Sequence, residues 1–163
     1  MAIQLATGSK FSHVGLIVIR RGAVFVCEAV QPVKYTPLSE WIKRGKNGGY
    51  CVKRLISPGS AINRGTVEKY YAACEKHIGR DYDLYFNWSG ETIYCSELVW
   101  KVYKDAFGIE LCRTRKLKDF NIKNKTVKSK MAERYGKDIP LNEPVVSPSD
   151  LFGSKKLVTI ECK

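Results

Sequence analysis

The sequence predicts an α+β fold, a small antiparallel sheet or open barrel packed against helices, and three observations predict it. Two β-branched apolar runs flank the turn sequence Arg20-Arg21-Gly22. Apolar residues recur at helical spacing in two later stretches, residues 66–78 and 94–107. The chain has 163 residues, 44% hydrophobic and 27% charged, which suits one domain over residues 1–163 that buries roughly two thirds of its unfolded surface.

Residues 13–19 and 23–30 read as a hairpin joined at the Arg21-Gly22 turn. Residues 37–44 form a short helix closed by Gly45, and residues 50–56 alternate like a third strand of the same sheet. In residues 66–78, Val67, Tyr70, Tyr71, Cys74 and Ile78 make one face of a helix stopped by Gly79. In residues 94–107, Leu98, Val99, Val102, Tyr103, Ala106 and Phe107 make another, ending at Gly108, so Cys95 opens a helix. A helix near residues 127–135, a proline-rich loop through Pro140, Pro144 and Pro148, and a final strand over 157–162 complete the chain.

The formal net charge is +12, so the surface attracts anionic partners. Arg113, Arg115, Lys116, Lys118, Lys123, Lys125, Lys128 and Lys130 are relieved only by Asp119. That run reads first as a solvated face and second as an anion-binding one. It carries no nucleic-acid motif, and no nucleic-acid partner is expected. The longest apolar run, residues 14–19, is far too short to span a bilayer. No basic segment with an apolar stretch and cleavage site opens the chain, so the compartment stays open: periplasmic if a leader was removed, otherwise cytoplasmic. Six cysteines show no Cys-x-x-Cys pair and the two histidines lie far apart, so neither a metal site nor a cofactor is expected. The even cysteine count permits disulfides, while Cys27 and Cys74 sit in apolar patterns that suit buried free thiols.

Chemistry enters at Cys95. Only a thiolate attacks, and the unpaired N–H groups and dipole of a helix N-terminus stabilise one there while offering donors to an oxyanion. Of the two histidines, His77 lies in the last turn before Gly79, where interaction with helix-end carbonyls explains it. His13 opens a strand. A two-residue turn at Arg21-Gly22 places it opposite Val30, with Glu28 on the same sheet face at a diagonal position. A carboxylate there fixes the imidazole tautomer and leaves the other ring nitrogen for the thiol. A shift of one residue in register would turn Glu28 to the opposite face.

The segments Ala2-Ile3-Gln4-Leu5-Ala6-Thr7, Ser12-His13-Val14-Gly15-Leu16-Ile17, Glu28-Ala29-Val30-Gln31, Tyr35-Thr36-Pro37-Leu38, Asp81-Tyr82-Asp83 and Tyr94-Cys95-Ser96-Glu97-Leu98-Val99 resemble those of the YiiX-like permuted papain-like amidases, a branch of the NlpC-type cysteine peptidase superfamily. The order His, Glu, then Tyr-Cys-Ser-Glu-Leu-Val carries the resemblance, because papain-like enzymes ordinarily run Cys before His. It implies a circularly permuted papain-like fold with Cys95, His13 and Glu28 as the catalytic triad. It also implies Tyr82 as a residue that lines the site or donates to the oxyanion. Tyr94 shares with the aromatic loop an ambiguity between packing and substrate contact, and is carried as a second substrate-binding candidate. Family members usually carry a Gly-Asp strand upstream of the Ala-Ile-Gln-Leu segment. Here Met1 precedes that segment directly, so the sheet is expected to lack a first N-terminal strand.

The function expected is a cysteine hydrolase forming an acyl-enzyme on a peptide amide of cell-wall type, with an anionic peptide or acyl substrate as partner. A lipid acyl hydrolase, acyltransferase or thioesterase of the same superfamily is the alternative. It would need an apolar groove beside the cleft, which no segment of the sequence demands. A non-catalytic anion or nucleic-acid binding domain is the reading from another class; it leaves His13, Glu28 and Cys95 unexplained.

Overall fold

The computed structural model describes residues 2–56, 62–88 and 90–163. Three strands, β1 (Leu16–Arg20), β2 (Ala23–Glu28) and β3 (Lys34–Pro37), form an antiparallel sheet in the order β1-β2-β3. Arg20 pairs with Ala23 and Leu16 with Cys27, so the hairpin has the register the two-residue turn demands. Arg21 and Gly22 both take positive φ, 51° and 79°, which matches the right-handed twist of the strands. On β1, Leu16 and Val18 point to the core while Ile17 and Ile19 face outward. Tyr70 and Tyr71 donate their hydroxyls to the Ile17 and Ile19 carbonyls, covering the free edge of β1.

The helices in chain order are α1 (Ala2–Thr7), α2 (Leu38–Lys43), α3 (Arg64–Glu75), α4 (Cys95–Phe107), α5 (Lys125–Tyr135) and α6 (Pro148–Phe152). Helix α3 starts where Asn63 and Thr66 close a reciprocal cap. Helix α4 ends at Gly108, whose φ of 67° reaches the left-handed region that stops a helix. The buried face of α4 (Leu98, Val99, Val102) packs with Cys74 and Ala73 of α3 against Val18, Cys27 and Ala29. A second apolar cluster joins Tyr94 to Leu117, Phe120, Val127, Met131 and Val145, with Leu5 and Ala6 of α1 against it.

Two further pairs of strands stand apart: β4 (Cys51–Leu55) with β7 (Leu157–Cys162), and the two-residue β5 (Arg115–Lys116) with β6 (Pro144–Val145). Here the structure corrects the sequence reading. The strand expected over residues 50–56 is present as β4, but it pairs with the C-terminal strand and not with the hairpin, and a disulfide joins Cys51 to Cys162. The third strand of the hairpin sheet is β3, too short to show alternation. The sheets are small, antiparallel and packed with helices, with no closed barrel among the described residues, in keeping with the α+β expectation. The first strand starts at Leu16, leaving His13 in the extended segment before it, and the third helix ends at Glu75, leaving His77 beyond it. His77 is buried, and neither ring nitrogen has a hydrogen-bond partner among the described residues, so the expected contact with helix-end carbonyls is absent. Residues 2–7, read only as part of a family segment, form α1 and pack on α5.

Candidate active site

Cys95 is the first residue of α4, next to the core and 2% exposed. The N–H groups of that first turn have no partner within the helix. Tyr94 and Glu97 shape the entry, the Tyr94 N–H donating to the Glu97 carboxylate. His13 reaches the sulfur from the segment leading into β1. That segment passes close to β2 because residue 15 is glycine: a Cβ there would overlap the Val26 side chain and crowd the Cys27 carbonyl.

The central position of β2 explains why Glu28 is fully buried. The β1 register, extended, sets His13 opposite Val30, and on the other side Val26 pairs with Thr36. Glu28 therefore has a neighbour from each flanking strand. Its Oε2 is 2.6 Å from His13 Nε2, its Oε1 accepts from Thr36 Oγ1 at 2.6 Å, and Arg44 Nη2 reaches both oxygens at 2.5 Å. Trp41 lies against the imidazole, ring centroids 6.2 Å apart. With Nε2 bound to Glu28, the other ring nitrogen of His13 is left for Cys95, with which the ring interacts electrostatically.

The electrostatics follow from these contacts. Burial alone would lower the His13 pKa, but hydrogen bonds to Cys95 and Glu28 outweigh it and raise the imidazole to about 9. Burial would raise Glu28, yet bonds from His13, Thr36 and Arg44 hold it at about 2. Burial would likewise push the Cys95 thiol up, and the imidazole beside it, with the Val14 N–H, brings it below its ordinary value. The His13 and Cys95 shifts both act in the same direction, toward a thiolate beside an imidazolium braced by a carboxylate.

Tyr82 lines a cleft with His13, Ala29, Val30, Gln31 and Leu84, and its hydroxyl is within hydrogen-bonding reach of Cys95. Burial pushes that phenol well above its usual range, so it stays a donor. Tyr94 lies elsewhere. It is 1% exposed, its ring meets Phe86 edge-on and its hydroxyl accepts from the Val146 N–H. The structure thus replaces the expected substrate contact of Tyr94 with packing beneath α4.

A second cavity, of about 110 Å³, has Cys95 in its wall and lies between α1, α5 and the loop before α6. Ala2, Ile3, Leu117, Phe120, Val127 and Met131 give it apolar walls. No single segment of the sequence demanded such a cavity, because its walls come from six separate stretches of the chain. The sequence reading also missed Thr36 and Arg44. Thr36 lies in a segment that carried the family resemblance, whereas no periodicity or motif marks Arg44.

Residues 1–161 match a family described as permuted papain-like amidase enzymes, the YaeF/YiiX, C92 family. The chain is 45% identical over 159 residues to a protein of Escherichia coli (strain K12) described as uncharacterized protein YiiX, covering 98% of this chain and 77% of that one. It also resembles a crystal structure described as metalloprotein YiiX from Escherichia coli O157:H7, with a TM-score of 0.93 and 44% identity over 99% of this chain and 88% of that one. In the present chain no group of three or more His, Cys, Asp or Glu side chains is placed to hold a metal ion among the described residues.

Proposed function

The chain belongs to the permuted papain-like amidases of the YaeF/YiiX, C92 family, and from that membership we propose that it is a cysteine hydrolase in which Cys95, His13 and Glu28 form the catalytic triad. The observation that carries this reading is a thiol at the N-terminus of α4 interacting with an imidazole that stands 2.6 Å from a fully buried carboxylate. The Cys95 thiolate attacks the amide carbonyl carbon, forming a C–S bond and an oxyanion. Backbone N–H groups of the first turn of α4 and the Tyr82 hydroxyl donate to that oxyanion. As the intermediate collapses, the His13 imidazolium gives its proton to the departing amine and the C–N bond breaks. Water, activated by the now neutral His13, attacks the thioester, releases the acid and restores the thiolate. Glu28 stays ionised throughout, holding the ring orientation.

A peptide amide is the substrate class that fits the family description. A second reading is favoured by the apolar cavity at Cys95, which suits the acyl chain of a lipid ester, amide or thioester. Turnover of peptide amides and of short- and long-chain acyl substrates, in the parent, Cys95→Ala and Ala6→Phe, separates the two. Both readings expect Cys95→Ala to lose turnover. Selective loss of long-chain turnover in Ala6→Phe, which narrows the cavity, supports the lipid reading. Equal turnover in the parent and Cys95→Ala would remove the enzyme and return weight to a non-catalytic anion-binding domain.

A further inference from the structure

The cavity at Cys95 has two charged residues in its walls, Lys130 and Arg134, and no acidic one. They differ in what holds them. Lys130 is 2.6 Å from Glu133, a turn away on the same helix face. Arg134 has no ion pair or hydrogen bond among the described residues; its guanidinium lies over the Phe86 ring, 5.4 Å from the centroid. The other acids nearby are engaged. Asp83 accepts from the Tyr85 and Asn87 N–H groups, and Glu143 from the Trp88 N–H. Arg134 is half-buried as a residue, and no anion meets its fork of donors among the described residues. Its charge is felt at the Tyr82 hydroxyl, the same group that reaches Cys95.

A guanidinium held over an aromatic ring still has N–H donors to give, and their fork matches the two oxygens of a carboxylate. One unpaired cation balances a monoanion. We propose that Arg134 is a specificity-determining residue that pairs with a carboxylate on the substrate, so that the group entering the cavity beside Cys95 is apolar in its body and acidic at one end. This rests on the cysteine-hydrolase reading above and narrows its substrate to an acidic acyl compound.

The test uses two alkylating reagents that differ only in charge, neutral iodoacetamide and anionic iodoacetate. The rate at Cys95 is followed by peptide mass spectrometry at pH 7 and low ionic strength. The ratio of the iodoacetate to the iodoacetamide rate is expected to fall roughly 3–10-fold in Arg134→Gln, to be largely retained in Arg134→Lys, and to shrink in the parent as salt is added. Lys128→Gln, on the exposed side of the same helix, should leave the ratio unchanged. The ratio cancels any general loss of Cys95 reactivity, so a partly disturbed fold does not imitate the result. An unchanged ratio in Arg134→Gln, with Cys95 still reactive to iodoacetamide, overturns the Arg134 assignment alone. An unreactive Cys95 in the parent overturns the hydrolase reading and this inference with it.

Discussion

Replacing Glu28 by glutamine keeps the shape of the side chain and an oxygen for the His13 N–H, and removes one buried negative charge. An opposite charge within about 4–6 Å moves a pKa by roughly 1–3 units, and Glu28 lies 2.6 Å from a ring whose pKa is about 9. Glu28→Gln should therefore bring the His13 titration down to roughly 6–8. Arg44, then facing a neutral amide, acts in the same direction. Each unit corresponds to about 1.4 kcal/mol of lost preference for the imidazolium, and turnover should fall by about 10²–10⁴-fold. The chain has two histidines, so proton–carbon NMR of their Cε1–H groups follows both at once. His77, at about 4 under the influence of a different set of charges, serves as internal reference. A His13 midpoint in Glu28→Gln within about 0.3 unit of the parent would refute the claim that the carboxylate holds the imidazolium.

Further predictions concern stability. Burial, with Arg80 and Lys76 nearby, lowers His77 to about 4, below its unfolded value near 6.5, so the unfolded chain binds the extra proton first. Stability should fall as pH drops from about 6.5 to about 4, by at most about 1.4 kcal/mol per pH unit from this group. Denaturant titrations of His77→Leu should show a shallower slope over that window, and an unchanged slope would contradict the assignment. His13 has the opposite sign, since its raised pKa gives stability that is complete below about 6.5 and lost as pH rises through about 9. The Cys51–Cys162 disulfide closes a loop with a sequence separation of 111, and Cys51→Ser with Cys162→Ser should cost about 2–5 kcal/mol. That is a Tm lower by roughly 5–15 °C without reductant, and a shift below about 1 °C would contradict it.

The hairpin and α4 were legible in the sequence because each carries its own local signal. Arg21-Gly22 fixes a two-residue turn, which fixes the register, which sets Glu28 on the face of His13. The apolar face of α4 and Gly108 fix its length, and with it the place of Cys95 at its start. What was not legible depends on pairing between distant segments. Residues 50–56 look like a strand, but nothing in them states that the partner lies at residues 157–162. Arg44 reaches Glu28 only because α2 follows β3 directly, with Pro37 ending one and capping the other. Tyr94 was ambiguous for a related reason: an aromatic residue before a cysteine that opens a helix can face the cleft or the core, and the Val146 N–H, 52 positions away, decides it.

The central claim is that Cys95 carries the acyl group. Mixing the enzyme with p-nitrophenyl esters, quenching in acid and mapping adduct mass by peptide mass spectrometry tests it most directly. The account predicts an acyl adduct on Cys95 that forms in the parent, forms more slowly in His13→Ala and is absent in Cys95→Ala. Adducts confined to other cysteines, or ester cleavage in Cys95→Ala at the rate of the parent, would contradict it.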